Sequence, residues 1–453
     1  MNTTDAPNSA HTTTLGPVLT AGFGSTLAMW IVGWLTHLPG LATSTPFALF
    51  LLCAVLVVTL TAFARLAPSP LRAGLIGGGV AGILNLLILG SVLSVQAEDT
   101  TQMADAANQF RDNAPFIVLG YIALTLAAGA IAGLIATFTR SRQPATDPGV
   151  WLARFSVITT LTFFPLILVG GAVTGTESGM SIPDGVTSYG AFSAMLPMSI
   201  MAEPRIFLEH THRLFGTLVG LTAIALMLFT LAREKRLAPR IFSVILLGLV
   251  IAQGVFGAIR VGASVGALAA VHGVFAQLVL SFAVVTACKL SSLDRHPPLT
   301  FDPKTTATSK RAERLTHFSA WAVLIQLIFG ALARHTQGGS HALWTHVGFS
   351  IVVVAMVVVS AATLGTADHE SPTGRLLRRI GRLLMATVFV QFVLGGLTLW
   401  QVSVAGDTRP IPTADQLAAA HDIDVLEALI TTAHQTVGAT LLAFIAISVY
   451  WSK

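Results

Sequence analysis

Residues 206–232 read IFLEHTHRLFGTLVGLTAIALMLFTLA. From Leu214 to Ala232 the run carries no charge, close to the roughly 20 apolar residues a helix needs to cross a bilayer core. Its opening turns are the opposite, with Glu209, His210, His212 and Arg213 crowded together. Ionisable groups inside a span are costly and mark a functional site by default. This stretch therefore predicts a membrane helix with chemistry at one end.

The same texture fills the chain. Of 453 residues, 53% are hydrophobic and 10% charged, and the mean hydropathy is +0.75, whereas a soluble domain carries about 25% charged residues. That composition excludes secreted disulfide scaffolds, Rossmann enzymes, nucleic-acid binders and disorder. The net charge of +5 reads as Lys and Arg gathered at a cytoplasmic membrane face. Cys53 and Cys288 lie in apolar runs and form neither a CxxC pair nor a disulfide framework.

Apolar windows predict twelve helices, at 17–38, 46–66, 71–94, 114–139, 151–174, 206–232, 240–260, 267–290, 315–334, 342–364, 382–401 and 426–450. Residues 1–16 contain no Lys or Arg, so no signal peptide is expected there. With both termini inside, Arg111, Arg205, Arg213, Arg260, Arg334 and Arg409 face outward, and the other 20 of the 26 Lys and Arg face inward. One missed helix would scramble so lopsided a split, so both termini are expected in the cytoplasm of an integral cell (inner) membrane protein. The outward loops are acidic, holding Glu98, Asp99, Asp105, Asp112, Glu177, Asp184, Glu203, Asp407, Asp415, Asp422 and Asp424. The longest inward linker, 291–312, is rich in Pro, Thr and Lys and reads as a hinge.

Helices 5–8 and 9–12 repeat one another. Arg154-Phe155-Ser156 matches His317-Phe318-Ser319, and Gly171-Ala172-Val173 matches Gly330-Ala331-Leu332. Gln253-Gly254-Val255-Phe256-Gly257 matches Gln391-Phe392-Val393-Leu394-Gly395. Four helices separate equivalents, so the repeat is parallel rather than inverted. The expected fold is an all-α polytopic membrane protein of about twelve transmembrane helices. It divides into an N-terminal four-helix extension (1–145) and two pseudo-symmetric four-helix bundles (146–300 and 301–453). The extension shows no repeat. Its span-end His37 sits beside Pro39, and Gly74, Gly78 and Gly82 form a small-residue face suited to close helix packing.

Four histidines, His212, His272, His346 and His434, each fall a few residues into an even-numbered helix, at similar depth. They pair within bundles, His212 with His272 and His346 with His434. Facing imidazoles in a four-helix bundle are a usual way to hold a haem by two axial ligands. Zinc would want further Cys, Asp or Glu ligands at short spacing, and none surrounds these positions. His210 and His212, two apart, point to different helix faces. His11, His296, His369 and His421 fall in loops, and His335 and His341 flank a short outward loop.

Glu209 lies three residues before His212, on the same helix face. Beside a haem, a carboxylate there could orient water, move protons or stabilise positive charge. Equally, it could satisfy backbone N–H groups at the helix start. Its counterpart in the second bundle is Leu343, so the bundles share ligation and differ in chemistry. Arg213, Arg260 and Arg334 suit anionic haem propionates, with interfacial snorkelling the competing reading.

These residues resemble the haem A synthase family of bacteria and mitochondria. Glu209-His210-Thr211-His212-Arg213 resembles its E-x-x-H-R signature, and Gly170 to Ser181 its first outer-loop motif. Gln253-Gly254 with Gly257, then His272, and Thr432-Ala433-His434-Gln435 match later helices, so the resemblance spans about residues 150–450. It implies haem O as substrate between His212 and His272, and a permanent haem b between His346 and His434. The implied reaction oxidises the C8 methyl of haem O to a formyl group by successive hydroxylations, giving haem A for cytochrome oxidase. Glu209 would be catalytic, and Arg213 would contribute to cofactor binding. Implied partners are the haem O synthase, cytochrome oxidase assembly factors and membrane lipid. Two features depart from the family. Ser181 to Val186 lacks the cysteine pair of many bacterial members, and residues 1–145 are additional to the usual eight helices. A di-haem b membrane cytochrome that only transfers electrons is the competing function, and a twelve-span transporter fits less well.

Overall fold

A computed structural model describes residues 15–41, 43–97, 100–140, 143–263, 266–296, 303–335, 340–405 and 423–453. Glu98, Asp99, Arg142, Asp407, Arg409, Asp415, Asp422, His11 and His421 lie outside the described residues. Twelve long apolar helices carry the fold: α1 (Leu15–Thr36), α2 (Thr45–Ala64), α3 (Pro70–Ile88), α4 (Ala114–Phe138), α5 (Pro148–Gly175), α6 (Pro204–Arg233), α7 (Leu237–Ala263), α8 (Gly266–Leu290), α9 (Pro303–His335), α10 (Ser340–Gly365), α11 (Pro372–Ala405) and α12 (Val425–Trp451). Every one contains an apolar stretch long enough to cross a membrane, which makes this an integral membrane protein. No strand occurs among the described residues.

Each apolar window has its helix, and the ends differ where polar residues continue a helix beyond its apolar part. The expected third span reached residue 94, but α3 stops at Ile88 and a 3-10 turn follows at Gly90–Leu93. The eleventh begins at Pro372 rather than 382. Ser371 Oγ accepts the Gly374 N–H at 2.9 Å, and Pro372 suits the first helical position. Arg375, Arg378, Arg379 and Arg382 thus ride on helix, not loop. Likewise α9 begins at Pro303, and Ser292–Arg295 forms a short helix, so much of the expected 291–312 linker is helical.

The chain forms two compact units. The first comprises residues 1–165 and 186–244. In it α3 and α4 meet along glycine, as the small-residue spacing predicts: a Cβ on Gly74 would stand 2.6 Å from the Gly129 carbonyl oxygen and 2.7 Å from the Gly133 nitrogen. Between lipid-bathed helices, such backbone proximity replaces the hydrophobic drive available in water. Ala21, Leu60, Ala81 and Ala132 fill the centre. Asn85 ties three helices together: its Oδ1 accepts from Trp30 Nε1 at 3.0 Å, and its Nδ2 donates to the Tyr121 hydroxyl at 3.0 Å. The buried α1 also packs edge-on against later helices, Phe23 on Phe155 at 5.3 Å and Trp30 on Phe215 at 5.8 Å.

The second unit comprises residues 166–185 and 245–453. Val357, Leu364, Leu384, Leu441 and Ile445 form its core. Ser319 and Ser360 hydroxyls pair at 2.8 Å between α9 and α10, and Thr316 and Ser452 hydroxyls at 3.1 Å between α9 and α12.

Candidate functional site

In the first unit, the entry of α6 fixes the Glu209 cluster. Pro204 opens the helix, and Glu203 caps it, its carboxylate accepting from Arg205 N at 3.1 Å and Ile206 N at 2.6 Å. The cap is therefore supplied by Glu203, and Glu209 is not needed for it. Glu209 is buried to 4% exposure, and its Oε1 accepts from Arg213 Nη2 at 2.8 Å, one helical turn on. Arg213 Nη1 donates to the Thr187 carbonyl at 2.7 Å. Arg213 is thus engaged with Glu209 and a loop carbonyl, an i,i+4 pairing that the propionate and snorkelling readings had left out. His212 is half-buried on the same helix. His210 is fully buried, and both its ring nitrogens lack a hydrogen-bond partner.

In the second unit His346 and His434 come together, with ring centres 6.3 Å apart and planes at 84°. Two imidazole nitrogens ligating one metal at about 2 Å each, with roughly 1 Å from each nitrogen to its ring centre, place the ring centres about 6 Å apart. The pair has the separation that shared axial ligation requires. His272 is half-buried on α8 of this unit.

Each of these three histidines rests against a glutamine and a glycine one turn apart on the preceding helix. A Cβ on Gly257 would stand 3.1 Å from His272 Cε1, on Gly330 2.9 Å from His346 Cε1, and on Gly395 3.2 Å from His434 Cε1. Gln253 Nε2 lies 3.2 Å from His272 Nδ1 and donates to the His272 carbonyl at 3.1 Å. Gln391 Nε2 lies 3.2 Å from His434 Nδ1. Gln326 Nε2 donates to the His346 carbonyl at 2.9 Å, while His346 Nδ1 donates to the Gln326 carbonyl at 3.1 Å. That last bond puts the proton on Nδ1 and leaves the Nε2 lone pair as the one able to meet a metal. Aromatic pairs follow the same register, Phe256 on Phe275 at 5.4 Å and Phe329 on Phe349 at 5.6 Å. The helix pair is thus a smaller repeating unit than the four-helix bundle read from sequence. The signal was Gln-x-x-x-Gly at 253, 326 and 391. Two of these were used to align the repeat, and Gln326 was overlooked.

The other arginines serve the turn after α5. Arg334 Nη2 donates to the Thr174 carbonyl at 2.7 Å and stands 3.8 Å from Glu177 Oε1. The Arg260 guanidinium packs against Gly179. His37 bonds the Gly33 carbonyl at 2.8 Å, a helix-end role. His335 closes α9, and His341 lies in the first turn of α10. No group of three His, Cys, Asp or Glu able to hold a metal occurs among the described residues.

Twelve apolar helices, an ion-paired glutamate at one helix mouth and a perpendicular histidine pair define an integral membrane protein built around intramembrane imidazoles. Residues 153–344 match the family model described as cytochrome oxidase assembly protein (COX15-CtaA). A heme A synthase of Shouchella clausii is 31% identical over 190 residues, covering 41% of this chain and 60% of that protein. One from Mesorhizobium japonicum is 28% identical over 263 residues, 49% of this chain and 68% of that protein. One from Exiguobacterium sibiricum is 35% identical over 109 residues, 24% and 35% respectively. No solved structure matches the chain. The chain spans about 60% of the length of the Shouchella relative. Residues 153–344 are thus similar to the cytochrome oxidase assembly protein (COX15-CtaA) family and to these heme A synthases.

Proposed function

We propose that the protein is a haem A synthase, oxidising the C8 methyl of haem O to a formyl group by successive hydroxylations to supply haem A to cytochrome oxidase. The carrying observation is that the family match covers Glu209, His212, Arg213 and His272 together. His346 and His434 lie beyond the matched residues, and their shared geometry supports a haem b site instead. In this reading His212 and His272 ligate haem O. Arg213 orients the Glu209 carboxylate toward positive charge developing at the carbon being oxidised. Haem b, when bound between His346 and His434, supplies a one-electron relay. Burial of Glu209 keeps that carboxylate out of bulk water, where its field is weakest.

The proposed organisation keeps 1–145 as an extension, 146–300 as the substrate bundle and 301–453 as the haem b bundle. The inward excess of Lys and Arg supports a cell (inner) membrane protein with both termini in the cytoplasm. A haem O synthase and oxidase assembly factors are the fitting partners, as source and destination of the haem.

Co-expression with a haem O-producing enzyme, followed by chromatography and mass analysis of extracted haems, tests the reading. Haem A or its hydroxylated precursor is expected. Both sites loaded without either product would favour the electron-transferring di-haem cytochrome. Glu209→Ala should keep both haems and lose product by at least 100-fold, within the range general acid–base or electrostatic groups contribute. Retained activity removes Glu209 from the mechanism.

A further inference from the structure

Three histidines on three different helices are met by the same pair of groups, an amide and a bare backbone one turn apart. The glycine brings the imidazole against the helix axis, where even a methyl group would stand 2.9–3.2 Å from Cε1. At Gln253 and Gln391 the amide then lies against the ring nitrogens, and at Gln326 it reaches the His346 carbonyl. In all three, Nε2 is engaged with the histidine ring or its carbonyl. In all three, Oε1 is buried and has no hydrogen-bond partner.

A carbonyl oxygen without a partner is costly in a membrane interior. At Gln253 and Gln391 it belongs to an amide that already touches the ring nitrogens. Amide oxygen and nitrogen have the same shape, and a half-turn exchanges them. A ligating histidine needs an acceptor for its second ring N–H, and that acceptor raises the basicity of the ligand. The orphaned oxygen is one such acceptor within reach. Gly438, one turn after His434, leaves room for it, since a Cβ there would stand 3.2 Å from Gln391 Nε2. α5 carries Ile167 four residues before Gly171, so the amide belongs to three of the four helices that precede a ligand.

We propose that Gln253 and Gln391 are positioning residues that hold His272 and His434 through their side-chain amides and tune the electron donation of those imidazoles to iron, whereas His346 already gives its second ring N–H to the Gln326 main-chain carbonyl and takes only an anchor for its own carbonyl from the Gln326 amide. This rests on the haem reading given above. The amides touch the ligands and not the reacting carbon, so they act on the haem potential rather than on the chemical step.

The test is a redox titration of the purified full chain, followed in the visible haem bands, with pyridine haemochrome analysis of haem content. Gln391→Leu removes the acceptor. It should keep haem b bound and raise its potential, changing the oxidised-to-reduced ratio at fixed poise about tenfold, or about 59 mV for one electron. Gln391→Glu keeps an acceptor oxygen in either protonation form, so its potential should stay at or below that of the unmodified chain. Gln326→Leu, on the opposite ligand, keeps the main-chain acceptor of His346 and should leave that potential unmoved, while Gln253→Leu, which should raise the potential of the haem held by His272, serves if Gln391→Leu fails to accumulate. Full haem content with an unmoved potential in Gln391→Leu, or in Gln253→Leu where that variant is used, would overturn the proposal. Equal shifts for Leu and Glu would also overturn it, since they would mean a packing effect. A chain that binds no haem b in unmodified form would overturn the haem reading itself, a separate result seen before any variant is made.

Discussion

At the residue scale the Glu209–Arg213 pair decides most. Side chains at 5% and 15% exposure are removed from water, and breaking such a pair by deleting one partner costs about 3–5 kcal/mol, because a buried charge is left uncompensated. Arg213→Leu should therefore lower stability by about 3 kcal/mol, while Glu209→Leu/Arg213→Leu together should recover most of that loss. Thermal unfolding in detergent, arranged as a double-mutant cycle, measures it, and additive losses would contradict a coupled pair. Much of this site was legible. Charges are scarce in the spans, so Glu209, His212 and Arg213 stood out, as did the three other histidines at matching depth. What escaped was the partner of each group. Arg213 was weighed against propionates and the interface, though its i,i+4 neighbour was nearer. Gln326 was passed over because a lone amide in an apolar helix reads as interhelical glue.

At the scale of the element, two features make definite claims. Along α3 and α4 the backbones nearly touch, so Gly74→Leu drives a side chain into the Gly129 carbonyl and Gly133. A loss of about 1–3 kcal/mol is expected from forced overpacking, read as a lower unfolding temperature, whereas Gly120→Leu on α4, which meets nothing within 4 Å, should be silent. The second claim concerns the entry to α11. Asp368 accepts from the Glu370 N–H at 2.9 Å and the Ser371 N–H at 3.2 Å. These backbone bonds hold its carboxyl below the ordinary 3.8. A depressed folded value means that the turn is fully supported above pH 3.8 and loosens as pH falls through the lower folded value. Amide exchange at Glu370 and Ser371 should rise over that interval and lose its pH dependence in Asp368→Asn. Helix existence was readable throughout from apolar length. Helix ends were not, because α9 and α11 begin in polar and basic turns that a hydropathy window assigns to loops, while proline, serine and local hydrogen bonds extend the helix.

Across the whole molecule, the N-terminal extension shares its core with the helices that follow. Phe23 and Trp30 of α1 meet Phe155 and Phe215, an arrangement no periodicity announced, since helices packing inside lipid need no apolar stripe to distinguish their contact face. Removing residues 1–145 should cost about 1–3 kcal/mol for these two aromatic pairs alone. Size-exclusion profiles of the truncated chain after graded heating would report it, and an unchanged melting point would show that the extension is separable. The same contacts bear on manufacture. α1 leaves the ribosome about 130 residues before Phe155, which at 5–20 residues per second is a delay of roughly 7–26 s. For that interval the Phe23 edge, and for longer the Trp30 edge, must face lipid or a provisional neighbour. α1 thus meets α2 and α3 early, through Leu60, Ala81 and Asn85, and keeps one aromatic edge open until α5 and α6 emerge.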